Sequence, residues 1–373
     1  KYNCMLKAVI SEKFKNWIVS PTGGNYNNDE YYWFLKNRVF NNNISMSVNV
    51  YISQFMKLQN INNIRFNVKY TSKVSSLDLD IADDGVYFEK RESQETKSIT
   101  IGYSIGNPLA INKDIMLLNS INSVFEARVN AGASSVNGTI TITPKNSGIE
   151  YLTVVPMDNI KSYDETTGTY VYYDQSLVQK FRVKVADGSI IMPFEIRTVD
   201  DFVVMQDDLR GGKYFNYVLA RNINLSKIDL SKDNTIVNIN GTGFSLDGKY
   251  SYSRNGIEYE NVYSLTHLNI KKTIENPSSD TNIGLFGSIN NSIILRNLNI
   301  INSNIEITIK SLNGHALNVG ILSGKVGGLN LYNSFVEGQI TIKNLDTTQN
   351  SSNVNILNRI QTIQIITSRL VVL

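Results

Sequence analysis

The chain has 373 residues, 42% of them hydrophobic, which is enough for two or three domains and a sizeable core. Its 36 basic and 33 acidic residues leave a net charge of +3 and are scattered along the chain, which excludes a polybasic footprint for nucleic acid or an anionic membrane. The single cysteine, Cys4, excludes an internal disulfide framework and a thiolate zinc site, and no apolar run is long enough to span a bilayer.

Asn makes up roughly one residue in eight, alongside 20 Tyr and only 6 Pro. That bias suits a low-GC genome, and it suits extended β-structure in which aromatic and β-branched side chains pack while Asn fills the turns. Cys4 reads as a buried or incidental thiol, since a lipid-modified cysteine would be the first mature residue. The chain starts with Lys rather than Met and ends on the β-prone, apolar "RIQTIQIITSRLVVL", whose free edge would invite pairing. Further chain, or a partner, is expected to cover it.

In chain order, residues 1–43 mix "FKNWIVSPTGGNYNND" with the aromatic run "YYWFLKNRVF" and are of unclear class. Trp33 and its neighbours read as packing against the next domain or as an aromatic ligand platform. From Ile44 the pattern turns to period two, in "ISMSVNVYIS", "NIRFNVKYTS", "SLDLDIADD", "KSITIGYSI" and "GTITITP". Apolar and polar residues alternating between Asn, Gly and Asp turns predict short antiparallel strands with one buried face, hence a β-sandwich over 44–190. "YDETTGTYVYYD" predicts a hairpin turning at Thr167-Gly168.

At residue 193 the character changes. Phe202, Val203, Met205 and Leu209 give Asp200 to Leu209 a helical face, with acidic residues near its start where the helix dipole favours them, and a short capping helix is expected. Beyond it one phrase recurs: "NIGLFG" from Asn282, "NVGILS" from Asn318 and "NVNILN" from Asn353, at steps of 36 and 35 residues. A structural rung that stacks on its neighbours recurs in this way. Ile293-Ile294-Leu295, Leu329-Asn330-Leu331 and Ile363-Gln364-Ile365 align with it and are followed by Asn297, Asn333 and Thr367. Each rung is therefore expected to bury apolar residues such as Ile294 and Leu331 and then present a polar corner at Asn297 or Asn333. Gly284 and Gly320 are expected to supply positive φ or close backbone approach at the rung start, with Asn355 in the glycine's place in the third copy.

The segment "PFEIRTVDDFVVMQDDLRGGKYFNYVLARNINLS" carries a family resemblance, through Ile196, Thr198, Asp201, Phe202, Gly212, Tyr214, Val218, Asn222, Ile223, Asn224, Leu225 and Ser226. With "VGILSGKVGGLNLYNSFVEGQITI" from Val319, it resembles the Glug-motif modules of bacterial extracellular proteins. Asn222 and Asn224 depart from the family, standing where it often has Asp. The resemblance implies that 191–373 form a right-handed parallel β-helix continuing beyond this fragment. "IGNPLAINKDIML" is similar to the loop-and-strand segment of immunoglobulin-like repeats in bacterial surface proteins. The expected fold is all-β, an immunoglobulin-like sandwich followed by the β-helix and its capping helix.

Several motifs carry residue types that chemistry could use. Glu258 and Glu260 share a strand face as a glycosidase pair would, although "RNGIEYENVY" reads as a loop excursion. Some Glug-bearing proteins are IgA-cleaving metalloproteases, but with only His267 and His315 the chain has no His-Glu-x-x-His zinc motif. "ADDG" and "YDETTG" carry calcium-type oxygens without the twelve-residue loop, and "RGGK" reads as a helix stop rather than a phosphate loop. No catalytic residue, cofactor or metal is expected. The function expected is a non-catalytic extracellular or cell-surface module, an adhesin or a structural stalk, with a host or matrix protein or glycan as partner. Self-association through the C-terminal β edge is a further partner mode; nucleic acid and direct membrane insertion are not expected. The alternatives are a carbohydrate-active β-helix enzyme and a subunit of a filament, sheath or phage fibre.

Overall fold

The computed structural model describes residues 73–343 and 354–356, apart from 93–95, 108–109, 111, 120–122, 131–135 and 231–235; before residue 73, and at 344, it describes only the backbone of strands. The described chain is predominantly β-strand. The early strands pair antiparallel: Tyr2–Val9 and Gly24–Asn27 flank Glu30–Arg38, Ile18–Pro21 pairs with Val50–Ile52, and Asn43–Val48 pairs with Ile64–Lys69. The aromatic run at Trp33 thus lies on a strand, while its side chains and that of Cys4 fall outside the described residues.

Two sheets share the first core. One runs Phe125–Val129, Asn137–Pro144, Ile99–Ile105, Leu77–Leu79, all antiparallel. The other runs Ile115–Asn119, Gly148–Pro156, Gln179–Ala186, with Val86–Glu89 parallel to the last. Period-two sequence places Ile101, Tyr103 and Ile105 inward from the first sheet, against Leu152, Val154, Phe181, Val183 and Val185 of the second. The hairpin Ile160–Asp164 and Thr169–Tyr172 turns through Gly168 at φ 68°, and Asp164 Oδ1 accepts the amide of Thr166 at 2.9 Å.

The second half of the chain builds four parallel ladders around another core. Phe194–Ile196, Asn216–Leu219, Ser245–Asp247, Ile293–Arg296 and Leu329–Tyr332 form the first. Ile223–Asn224, Ser264–Thr266, Asn299–Ser311 and Phe335–Asn344 form the second, which Asn269–Glu275 joins by pairing with Asn299–Ser311. Val237–Ile239, Phe286–Ile289 and Ser323–Val326 form the third, and Thr281–Ile283, Leu317–Val319 and Val354–Ile356 the fourth. From Thr281 the chain visits the fourth, third, first and second ladders and then repeats that order. Aliphatic side chains such as Leu246, Leu265, Ile283, Leu295, Ile300 and Leu317 fill the interior with no exposure.

The helix runs Val199–Arg210. Thr198 caps it, accepting the Asp201 amide at 3.2 Å while the Asp201 carboxylate accepts the Thr198 amide at 2.8 Å, a reciprocal capping box. Phe202, Met205 and Leu209 enter the ladder core, while Val203 is only half-buried. The helix stops before Gly211 and Gly212, the latter at φ 71°, so "RGGK" is a helix terminus.

The stretch "RNGIEYENVY", read from sequence as a loop excursion, is instead part of a hairpin, Lys249–Arg254 with Ile257–Val262, turning through Asn255 at φ 51° and Gly256 at φ 80°. It leaves the ladders and extends the second sheet of the first unit: Arg254 pairs with Phe181, and the Asn255 amide donates to Lys180 O at 3.0 Å. One sheet is therefore built from both halves of the chain.

Candidate functional site

The repeat residues singled out by sequence fall on the ladders. Ile293 pairs with Leu329 and Leu295 with Leu331, as the 36-residue alignment predicts. Ile293 and Leu295 are buried, and Leu329 and Leu331 pack partly buried against the same core. Ile294 corrects the sequence reading. It lies half-buried in register with Ser245 and Asn330, because a residue between two inward neighbours on a strand must face outward. Ile363, Gln364, Ile365 and Thr367 lie outside the described residues.

Asn297 and Asn333 occupy the left-handed region at φ 50° and 46°. Asn enters that region at lower cost than most side chains because its short amide bonds locally. Gly248 precedes them in the same column, and the bare glycine is required there: a Cβ would lie 1.9 Å from Asn297 O. Asn297 Nδ2 donates to Asp247 Oδ1 of the preceding rung at 2.8 Å, and its amide to Tyr332 O of the following rung at 2.9 Å.

Gly284 and Gly320 are not among the positive-φ glycines, and for Gly284 close approach is the operative half of that expectation. A Cβ on Gly284 would stand 2.3 Å from Gly320 O. The third copy is also re-registered. Asn318 Nδ2 donates to Asn282 Oδ1 at 2.8 Å, 36 residues away, and Asn355 Nδ2 donates to Asn318 Oδ1 at 2.9 Å, 37 residues away. Asn355 therefore continues an amide column and does not stand in the place of Gly320. The phrase match at Asn353 was two residues out, since hydrogen-bonded amides and not the start of the phrase set the stacking.

Among the described residues, the densest polar constellation lies where the two units meet. Glu195, with a fully buried side chain, receives Lys184 Nζ at 3.0 Å, an Arg182 guanidinium nitrogen at 3.3 Å and an Arg197 nitrogen at 2.5 Å. Asp84, equally buried, receives Arg197 and Arg221 at 3.0 Å each. The Tyr250 hydroxyl, from the hairpin, bridges Asp84 Oδ2 at 2.9 Å and Glu195 Oε2 at 3.1 Å and also takes a bond from Arg182. Arg182 and Lys184 come from Gln179–Ala186, Asp84 from the turn before Val86–Glu89, and Glu195, Arg197 and Arg221 from the first rungs of the ladders. Beside this network Arg91 joins Glu89 at 2.8 Å to Asp208 of the helix at 2.6 Å, and the Tyr217 hydroxyl donates to Asp208 at 2.5 Å.

Burial pushes the Glu195 carboxyl up, but Lys184, Arg197 and Arg182 outweigh it and hold the group below the ordinary glutamate value. Asp84 behaves alike: burial raises it, and the Arg221 hydrogen bond with the charges of Arg197 and Arg221 brings it below the ordinary aspartate value. Burial lowers Lys184, and Glu195 only partly restores it. Two carboxylates thus hold four cations, and the balance favours ionised acids. The arrangement clamps one unit on the other, with each acid held by cations at hydrogen-bond distance.

Sequence reasoning named "ADDG" as oxygen-rich and missed its role: Asp84 is the buried anchor, and exposed Asp83 pairs with Arg254 at 2.5 Å. The signal lay in "FRVKVA" and "FEIR", where charges alternate with core residues on strands buried on both faces. Glu258 and Glu260 share one face of the hairpin, and Glu260 pairs with Lys249 at 2.8 Å. His267 sits at a corner with φ 57°, and the His315 amide closes a turn on Leu312 O at 2.9 Å.

Beside the network a half-open cleft of about 880 Å³ separates the two units, lined from one side by Lys90, Thr143 and Lys145 and from the other by Gly188, Phe194 and Phe215. No described helix is long and apolar enough to cross a membrane.

No protein-family model and no curated protein matches the chain. Among solved structures, the crystal structure of the S-layer protein SbsC domains 4 and 5 is similar at 12% identity and a TM-score of 0.23, covering 38% of this chain. The chain spans 66% of the length of that structure's chain.

Proposed function

We propose that the chain is a non-catalytic extracellular surface module, in which an immunoglobulin-like sandwich carries a right-handed parallel β-helix of the Glug type and holds it rigidly toward a host or matrix ligand. The observation that carries this reading is the junction. A hairpin from the ladder half completes a sheet of the sandwich half, Asp84 of the sandwich half is paired with Arg197 and Arg221 of the ladder half, and Glu195 of the ladder half with Arg182 and Lys184 of the sandwich half. Such a seam resists hinge motion, because parting it would break the shared sheet pairing and separate ion pairs held at hydrogen-bond distance. Rigidity of this kind suits display and load bearing. The ladders add a long, regular surface whose outward positions, such as Asn330 and Tyr332, are free of the core.

The helix over the first rungs supports the capped β-helix reading, since it shields one open end of the ladders from edge pairing. Antibody labelling of intact source cells, paired with mass spectrometry of polysaccharides and matrix proteins incubated with the purified chain, tests the proposal. Surface labelling with chemically unchanged substrates is expected. Labelling only after lysis, or release of cleavage products, would overturn it.

A further inference from the structure

The cleft between the two units has features that the clamp beside it does not use. Its volume of about 880 Å³ falls within the range of roughly 300–1,000 Å³ usual for small-molecule sites. Its floor is aromatic and fixed. Phe194, 1% exposed, meets Phe215 edge to face at 5.2 Å, and the Arg91 guanidinium lies 4.2 Å above Phe194. Arg91 is itself tied to Glu89 and Asp208, so the floor is organised without a ligand. Gly188, at φ 77°, lets the chain lie against both rings; a Cβ there would stand 2.5 Å from Phe194 and 2.8 Å from Phe215. Phe215 remains half-buried, with part of its ring facing the cleft.

The walls are of a different chemistry. Thr96, Thr143, Ser147 and Ser189 line them with hydroxyls, Lys90 and Lys145 with ammonium groups, and Glu92 and Asp187 with carboxylates. Lys90 Nζ donates to Lys145 O at 2.9 Å, which holds it in place, and among the described residues no carboxylate pairs with it. Lys145 pairs with Glu126 at 3.3 Å, both largely exposed, a contact easily exchanged for a ligand. An apolar ring face suits the C–H faces of a sugar, the Glu92 and Asp187 carboxylates and the wall hydroxyls suit its hydroxyl groups, and the Lys90 ammonium suits one carboxylate per unit. An acidic peptide would meet like charge at Glu92 and Asp187 and bring few hydroxyl groups for them to accept.

We infer that this cleft binds an acidic saccharide, a short run of uronate units, with Phe215 under a sugar face and Lys90 on its carboxylate. The inference rests on the surface-module reading and supplies the ligand class for it.

Calorimetric titration of the full chain with tetragalacturonate, with neutral maltotetraose and with a glutamate tetrapeptide tests this. Saturable binding of the uronate is expected, weakened by added salt as an ammonium–carboxylate contact requires. Lys90→Gln and Phe215→Ala should each weaken it about tenfold, the loss of roughly 1.4 kcal/mol of contact, while Lys249→Gln on the distant hairpin leaves it unchanged. Uronate-induced shifts of the Phe215 ring resonances in the unmutated protein give a second readout if a variant does not fold. No saturable uronate binding, equal binding of the neutral sugar or the peptide, or affinity unchanged in both variants would overturn the inference. None of those results touches the surface-module proposal, which falls instead if the uronate is cleaved.

Discussion

Lys184 Nζ lies 3.0 Å from Glu195 Oε1, and neither side chain is more than 5% exposed. Lys184 belongs to the last strand of the sandwich unit and Glu195 to the first rung of the ladders, so the pair ties the two units where the chain itself connects them. Removing one partner of such a pair is worse than removing both, because the survivor stays buried and charged. Glu195→Ala leaves Arg182, Lys184 and Arg197 facing one another and should cost about 3–5 kcal/mol in urea unfolding. A loss below about 1 kcal/mol, the figure for an exposed pair, would mean that water reaches the seam.

The depressed pKa values of Asp84 and Glu195 set a pH window. A carboxylate held below its ordinary value contributes stability that is fully present above the unfolded value, about 4, and is lost as pH falls through the folded value. Thermal melts should therefore be flat in this contribution from neutrality to about pH 5 and fall steeply below about pH 4. Glu195→Gln, which removes one of the titrating groups, should flatten the acid limb. An acid limb of the same steepness in both proteins would place the acid sensitivity elsewhere.

Asn297 separates conformation from side-chain bonding at a rung corner. Asn297→Gly keeps the left-handed backbone and loses only the bond to Asp247, a cost of about 0.5–1.5 kcal/mol. Asn297→Ala loses that bond and also forces a Cβ without local bonding into the left-handed region, adding about 1–2 kcal/mol. Chemical denaturation should rank the glycine variant above the alanine variant, and the reverse order would show that the corner is not held at positive φ.

Gly284→Ala places a Cβ against Gly320 O of the next rung and should cost about 1–3 kcal/mol through overpacking. Hydrogen exchange should then quicken in Thr281–Ile283 and Leu317–Val319 and stay unchanged in Asn137–Pro144 of the sandwich. Equal acceleration in all three segments would mean that the ladders do not loosen as a unit.

Much of the ladder half was legible because its information is local and periodic. The alignment of Ile293 with Leu329 and of Leu295 with Leu331, and the polar corners at Asn297 and Asn333, needed only a count of residues along the chain. Strand parity was the finer test: Ile294 looks interchangeable with its neighbours by composition, yet only every second residue can face the core. Asn355 showed that side-chain hydrogen bonding, invisible in a phrase match, sets the register. Of the junction only the charges among core residues in "FRVKVA" and "FEIR" were legible; their pairing was not, since Asp84, Arg182, Glu195, Arg221 and Tyr250 are scattered over the chain and meet only when the hairpin folds back onto the sandwich sheet. The expectations for Trp33, Cys4 and the segment after 356 concern side chains or residues outside those described.

The central claim is that the two units form one rigid body. Pulsed electron-spin distance measurement tests it most directly, with nitroxides at Asp78→Cys on the sandwich and Lys325→Cys on the ladders in a Cys4→Ser background. Both sites are exposed and outside the clamp. One narrow distance distribution is predicted at neutral pH, broadening when Glu195→Ala is added. A broad or two-peaked distribution in the protein with an intact clamp would contradict the account, because it would show the ladders moving on the sandwich despite the buried charges between them.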